Sequence, residues 1–139
     1  MRYLDRLQPL ALLVARLALG AIMVAHGYHE VLGKLHHTTH FMAGLGTPAW
    51  LAYVAELVGG LLILAGFFTR LAGFAICIDL VVAIWKVHWH NGLLGSSNGP
   101  GYEFPLAAAA LAFALIFFGA GPISLDHILR GGGNGLRRS

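Results

Sequence analysis

The clearest deficit of this 139-residue sequence is its lack of charge. Asp, Glu, Lys and Arg together make up 11% of the residues, less than half of the roughly 25% that is usual in soluble proteins. A water-exposed surface needs charged side chains in larger numbers. The composition therefore excludes an ordinary soluble domain, and it also excludes disordered, fibrous and coiled-coil classes.

Cysteine is nearly absent, since Cys77 is the single one in the chain. One cysteine cannot form an intramolecular disulfide, and without a Cys-x-x-Cys pair the chain is not a membrane dithiol–disulfide oxidoreductase. The net charge is only +3, and the basic residues are scattered rather than clustered with aromatic ones. We therefore expect no nucleic-acid partner.

Apolar residues are what the sequence has in abundance, at 58% of the chain. They form four segments of the length that crosses a bilayer, at about residues 9–28, 49–68, 71–90 and 104–119. In lipid such segments must be helical, because backbone groups find no other hydrogen-bond partners there. The sequence predicts an all-α integral membrane protein, an antiparallel four-helix bundle within residues 1–128, followed by a disordered cytoplasmic tail at 129–139.

The distribution of arginine predicts the orientation of this bundle in the membrane. With four spans, both termini and the turn between spans two and three share one side, which carries Arg2, Arg6, Arg70, Arg130, Arg137 and Arg138. Basic residues concentrate on the cytoplasmic side of membrane proteins. We therefore expect a multi-pass inner-membrane protein with both termini in the cytoplasm.

Two oppositely charged residues fall at similar depths within the predicted spans. Arg16 lies about 10 Å from the cytoplasmic end of span one, and Asp79 lies about 12 Å from the same end of span three. The matching depths predict an interhelical ion pair. Such a pair either fixes the register of the helices or takes part in proton or substrate handling, and the sequence leaves both roles open.

A second layer of polar residues lies nearer the outer face. Glu56 on span two is level with His26 on span one and Lys86 on span three, while His90 and Glu103 lie at the rim. This layer is either a site for a small polar or redox-active molecule or an internal salt-bridge network. If it is a site, Glu56 and His26 exchange protons with the ligand and Lys86 tunes Glu56 by its charge. His90 and Glu103 are then candidate binding residues.

Helical spacing predicts which residues face the interior of the bundle. Residues three or four positions apart share one side of a helix. On this basis span one presents Arg16, Gly20, Met23 and Gly27, span two presents Glu56, Gly59, Gly60 and Ile63, and span three presents Asp79, Ala83, Lys86 and His90. We expect the glycines of span two to allow the backbone of a neighbouring helix to approach closely.

Most histidines fall in the outer half of the predicted bundle, which raises the question of a metal or haem. The loop histidines lack a further ligand set with the fixed spacing of a tetrahedral site, so we predict no metal at His36, His37 and His40. A bis-histidine haem would need His26 and His88. At about 100° per residue His88 points about 180° away from Asp79, which disfavours this pairing.

Short motifs follow one another along nearly the whole chain, from Arg16 to Asp126. They are Arg16-Leu-Ala-Leu-Gly20, His26-Gly27, Phe41-Met-Ala-Gly-Leu-Gly-Thr-Pro48, Glu56-Leu-Val-Gly-Gly60, Gly66-Phe-Phe-Thr-Arg70, His90-Asn-Gly92, Gly101-Tyr-Glu-Phe104 and Gly119-Ala-Gly-Pro-Ile-Ser-Leu-Asp126. In this order they resemble the DoxX family of small bacterial membrane proteins. The resemblance implies a four-helix membrane fold, with His26, Glu56, Arg70 and Glu103 at motif positions, and it makes Arg70 a further candidate binding residue.

The resemblance also implies an association with redox metabolism, because the family includes a subunit of a thiosulfate:quinone oxidoreductase. We expect a membrane subunit or accessory of a redox system linked to the quinone pool. Its partners would be the lipid bilayer and soluble or membrane redox proteins, with a homo-oligomer left open. No cofactor is certain, and a quinone is the candidate. The alternatives are a non-catalytic membrane adaptor or assembly partner and, less favoured, a small-solute or proton-coupled carrier.

Overall fold

The structure is a computed structural model that describes residues 6–33, 49–97 and 99–132. Four longer helices dominate this part of the chain: α1 (Gln8–Gly33), α2 (Ala49–Ala65), α3 (Thr69–Ala83) and α4 (Glu103–Phe118). A π-helix (Ile84–His88) and a 3-10 turn (Trp89–Asn91) continue α3, and a short helix α5 (Leu125–Gly132) follows α4. The predicted all-α class is confirmed, since the described residues form no β-strand beyond one isolated bridge.

Two helical segments of the described chain are long and apolar enough to cross a membrane. They cover Gln8–His29 and Thr69–Asn91. The other two apolar helices, Leu51–Ala65 and Glu103–Phe118, are shorter. The 16 residues of Glu103–Phe118 extend about 24 Å, whereas the hydrocarbon layer of a bilayer is about 30 Å thick. Length and composition thus identify two candidate spans, whereas the sequence predicts four.

The outward surfaces of these helices are strongly apolar. Large hydrophobic side chains that are about half exposed or more include Leu10, Val14, Leu61, Phe74, Ile78, Phe113 and Phe117. A water-soluble protein rarely exposes an apolar surface of this extent. Lipid is the solvent in which such a surface is stable.

The four longer helices pack in a closed order, α1 on α2, α2 on α3, α3 on α4, and α4 back on α1. Their shared core contains fully buried side chains from every one of them, including Leu19, Ile63, Ile76 and Leu115. Cys77 packs against this core, as a small apolar side chain does.

Glycine brings α1 and α2 into close contact. A Cβ atom on Gly60 would lie 2.8 Å from the backbone nitrogen of Val24, and one on Gly27 would lie 2.7 Å from that of Leu57. Real Cβ atoms do not approach backbone so closely, so both positions require glycine. The predicted close approach of a neighbouring backbone is confirmed at Gly60, whereas the nearest neighbour of Gly59 is the side chain of Ile76.

A short connection ties α5 to the turn between α2 and α3. The Asp126 carboxylate accepts hydrogen bonds from the backbone N–H groups of Phe68 (2.9 Å) and Thr69 (3.1 Å) at the start of α3, while its own N–H donates to the Gly66 carbonyl (2.9 Å). These bonds satisfy N–H groups that the first turn of a helix leaves without partners. Helix α5 extends through Gly132, so residues 129–132 of the predicted disordered tail are helical. Residues 133–139 lie outside the described part.

Candidate functional site

A cavity of about 480 Å³ lies where all four longer helices meet, at the end of the molecule that carries the 92–102 loop. We call this the loop end, and the opposite end, with the turn at residues 66–68, the turn end. Apolar side chains such as Leu80, Val82, Val87 and Phe104 form much of the lining. A cavity of this size and character is typical of sites for small organic molecules.

Four ionisable side chains line the cavity: His26 from α1, Glu56 from α2, Asp79 from α3 and His88 from the π-helix. Glu56, Asp79 and His88 are half-buried. Glu56 and Asp79 also make polar or electrostatic interactions within the protein. The sequence predicted that His26 and Glu56 would converge, and the structure places them in one lining. The arrangement combines an apolar chamber with two carboxylates and two imidazoles.

The His26 ring is held in place from two sides. It stacks on Phe104 with ring centroids 5.3 Å apart and an angle of 16° between the planes. Its Nδ1 lies 3.0 Å from the Ile22 carbonyl oxygen, which can only accept, so Nδ1 carries the proton and donates it. In neutral His26 the Nε2 atom is then a hydrogen-bond and proton acceptor.

His88 is positioned by the 92–102 loop in the same way. Its Nδ1 lies 3.2 Å from the Pro100 carbonyl, which also accepts a hydrogen bond from the Asn91 side-chain amide at 3.0 Å. The Nδ1 atom again donates, which leaves Nε2 as the acceptor in the neutral ring. Both cavity histidines therefore offer the same chemistry.

The π-helix explains why the sequence predicted the wrong orientation for His88. In a regular α-helix His88 would point about 180° away from Asp79. A π turn accommodates one extra residue, so the nine steps between them advance by about 80° instead, and both residues line the cavity. The sequence did contain a sign of this irregular turn. Lys86, His88 and His90 are spaced two residues apart, and an α-helix cannot place three such residues on one polar face.

Three predicted members of the outer layer lie outside this cavity lining as the structure describes it. Lys86 is half-buried and makes a polar or electrostatic interaction within the protein, but it is not among the residues that line the cavity. His90 and Glu103 are exposed. The backbone N–H of Glu103 donates to the Leu93 carbonyl at 3.0 Å, and Phe104, the next residue, lines the cavity instead.

The structure does not pair Arg16 with Asp79. The guanidinium Nη1 of Arg16 donates to the carbonyls of Ala120 (2.7 Å) and Ile123 (2.8 Å), and Nη2 donates to that of Leu64 (3.3 Å). These acceptors lie at the turn end, whereas Asp79 lies about 15 Å along α3 from Thr69. The long side chain extends away from its own helical level toward unpaired carbonyls, a contact that depth along the helix did not reveal.

Arg70 also lies at the turn end, far from Glu56 and His26. It is exposed and borders a second, smaller pocket of about 110 Å³ together with Asp126 and His127. The predicted binding residues are thus divided between the two ends of the molecule.

Metal ligands do not cluster in the part of the chain that the structure describes. Among those residues there is no group of three or more His, Cys, Asp and Glu side chains that could hold a metal ion. His36, His37 and His40, for which we predicted no metal, lie outside the described residues.

Comparison with known proteins adds the family context. The family model described as DoxX matches residues 11–89. The chain is 34% identical to "Inner membrane protein YphA" of Escherichia coli, across 91% of this chain and 97% of that one. It is 29% identical to "Putative oxidoreductase CatD" of Bacillus subtilis, across 88% and 90%, and 30% identical to an uncharacterized protein of Haemophilus influenzae, across 91% and 96%. No solved structure matches the chain significantly.

Proposed function

The chain belongs to the DoxX family of membrane proteins, and on that premise we propose that it is the quinone-binding membrane component of a redox system. The observation that carries this proposal is the cavity at the loop end, in which Glu56, Asp79, His26 and His88 border an apolar chamber. The name "Putative oxidoreductase CatD" of one relative supports a redox role.

The chemistry of the lining suits a quinone head group. A quinol carries two hydroxyl groups on a flat apolar ring, and its oxidation releases two protons and two electrons. The Nε2 atoms of the two neutral histidines and the two carboxylates can accept those protons, while Phe104, Val82 and Val87 contact the ring. The electrons pass to a redox partner protein.

We assign separate roles to the four ionisable residues. Glu56 and His26 exchange protons with the hydroxyl groups. His26 is suited to this role because its contacts with Phe104 and Ile22 hold the ring at a fixed place in the lining. His88 and Asp79 orient the head group. Lys86, which does not line the cavity in the described structure, has no direct role in binding.

We further propose that all four longer helices cross the inner membrane, with both termini on the cytoplasmic side. The closed packing order of α1 to α4 and their apolar outward surfaces support this arrangement. Interfacial aromatic residues support it too, since Trp85 and Trp89 are 70% and 60% exposed near the loop end and Trp89 stacks on Tyr102.

The decisive experiment is mass spectrometry of an organic extract from the protein purified in native lipid discs. We expect close to one quinone per chain in the wild type and about tenfold less in Glu56→Gln, which corresponds to the loss of one charge-assisted hydrogen bond. Haem is quantified in the same sample, because haem in place of quinone would indicate axial ligation by His26.

The matched control is Glu103→Gln, which neutralises an exposed carboxylate at the same end but outside the cavity. It should retain the wild-type quinone content, and thermal melting of both variants should match the wild type. A well-folded wild-type protein without quinone, or a Glu56→Gln variant with unchanged content, would contradict the proposal.

A non-catalytic adaptor is the second candidate function. The observation that favours it is that Glu56, Asp79 and Lys86 all make polar or electrostatic interactions within the protein, as residues that only fix helix contacts would. An adaptor would form a stoichiometric complex with another membrane or soluble protein, and Glu56→Gln would leave that complex intact. Isolation of such a complex without quinone would favour the adaptor.

A further inference from the structure

The turn end of the molecule carries a second pocket that the proposed redox role does not use. Its volume is about 110 Å³. It lies between the start of α3, the end of α4 and α5, and its lining includes Arg70, Phe118, Gly119, Ser124, Asp126 and His127. On the proposed orientation this end faces the cytoplasmic headgroup region.

Three of the hydrogen-bond acceptors that line this pocket are already engaged within the protein. The Asp126 carboxylate accepts from the N–H groups of Phe68 and Thr69. The carbonyl of Ala120 accepts from Arg16 at 2.7 Å, and that of Gly121 accepts from the Ser124 hydroxyl at 2.7 Å. The groups of the lining that remain suited to an anion are the Arg70 guanidinium, which only donates, and the ring N–H of His127.

The charge balance at this end is positive. Arg70 is exposed at the pocket, and its Nε would lie 3.4 Å from a Cβ on Gly119. Behind the pocket the buried Arg16 adds a second positive charge, which the single negative charge of Asp126 offsets in part. A pocket of donors with a positive field selects an anion, and a guanidinium suits a phosphate by geometry as well as charge.

The pocket is surrounded by apolar side chains that point outward. Phe118 at its edge is 68% exposed, and Leu71, Ile128 and Leu129 are each more than 60% exposed. Ile128 and Leu129 belong to α5, whose apolar residues lie on one side of a short helix next to the membrane-facing surface. An inorganic anion would make no contact with these apolar side chains, whereas the acyl chains of a lipid would pack against them.

We infer that this pocket binds the phosphate of an anionic phospholipid, with Arg70 and His127 as its ligands and the acyl chains along Phe118, Leu71 and α5. The inference does not depend on the proposed quinone role, but it rests on the proposed membrane topology. Phosphatidylglycerol matches the site because its headgroup adds no positive charge beside Arg70, whereas phosphatidylcholine places a quaternary amine there.

Native mass spectrometry of the full chain in detergent, supplied with equal amounts of phosphatidylglycerol and phosphatidylcholine, tests this site. We expect the wild type to retain phosphatidylglycerol preferentially. Arg70→Gln should reduce that adduct about fivefold to tenfold, and Arg70→Lys should retain part of it, since the charge remains but the paired geometry is lost.

Arg6→Gln is the matched control, because Arg6 is also exposed and lies before α1 at the same end. It should bind phosphatidylglycerol like the wild type, and a melting curve in the same detergent verifies that Arg70→Gln is folded. Equal retention of the two lipids, or an undiminished adduct in folded Arg70→Gln, would overturn the assignment. In a parallel sample that also contains inorganic phosphate, retention of that ion without a preference for phosphatidylglycerol would overturn the assignment in favour of a free anion.

Discussion

The buried side chain of Arg16 connects several parts of the chain by hydrogen bonds. It is 3% exposed and donates to carbonyls from the end of α2 and from the segment that follows α4. Those carbonyls lie near helix ends, where helical hydrogen bonding stops. A single guanidinium thereby joins α1, α2 and the connection to α5, which explains a buried charge without an ion pair to Asp79.

We predict that Arg16→Leu lowers the free energy of unfolding by about 3 kcal/mol, because buried carbonyls lose a charged donor. Arg16→Lys should lose about half as much, since an ammonium reaches fewer of the three acceptors. Denaturation by SDS in mixed micelles measures both changes. Arg6→Gln, which alters an exposed arginine, should change stability by less than about 0.5 kcal/mol. An Arg16→Leu variant as stable as the wild type would show that these bonds contribute nothing.

At the scale of a single element, the π-helix at Ile84–His88 determines the composition of the cavity. It inserts one residue into the helix that begins as α3, so His88 joins Asp79 in the lining and Lys86 does not. Such π turns occur frequently at functional sites. The inserted residue changes the rotation of the residues that follow it, and it thereby alters which of them line the cavity.

Deletion of Trp85 tests this register directly. Removal of one residue from the wide turn should restore a regular α-helix while Asp79 and His88 keep their relative positions. We therefore expect the free energy of unfolding of the deletion variant to lie within about 1 kcal/mol of that of Trp85→Ala, which is the control for loss of the side chain. The quinone content of the two variants should be the same.

The contrasting variant is deletion of Ile78, a half-exposed residue within the regular part of α3. This deletion rotates every later residue by about 100° relative to the earlier ones, which should displace His88 and destabilise the protein severely. If both deletions had the same effect, the wide turn would not determine the register.

At the scale of the whole molecule, the apolar outward surface and the closed packing order of the helices are typical of a protein that is surrounded by lipid. Its polar groups lie at two ends with different chemistry. The cavity at the loop end combines carboxylates and imidazoles, and the pocket at the turn end presents an arginine. On the proposed topology these ends face opposite sides of the membrane.

Cysteine accessibility tests this topology. In a Cys77→Ser background, Ser97→Cys lies in the 92–102 loop and Gly131→Cys lies on α5, and both native residues are exposed. A membrane-impermeant maleimide applied to intact spheroplasts should label position 97 at once and position 131 only after permeabilisation, as the arginine distribution predicts. Labelling of both positions from the same side would show that α4 does not cross the membrane.

Much of this protein could be predicted because lipid imposes simple rules on sequence. The all-α class followed from apolar length and the need to satisfy backbone groups internally. The DoxX resemblance, drawn from ordered motifs such as Glu56–Gly60, is confirmed by the family match. The close approach at Gly60 followed from the lack of a side chain. Four spans and a cytoplasmic location of both termini remain predictions.

The errors arose where a rule for regular helices was applied to side chains or turns that depart from it. Arg16 and Asp79 were paired by depth, although a long side chain can reach a distant level. His88 was excluded by an angle that holds only without a π turn. The tail was expected to be disordered from residue 129, although α5 extends to Gly132.

The sequence by itself determined that the protein lies in lipid, that it is helical and which family it belongs to, because each of these depends on composition, local periodicity and motif order. Only the tertiary structure decided that His26, Glu56, Asp79 and His88 share one cavity and that Arg16 bonds to the carbonyls of Ala120, Ile123 and Leu64. These contacts join residues far apart in the chain. They depend on helix register and side-chain reach to within a fraction of a helical turn, which apolar periodicity does not specify.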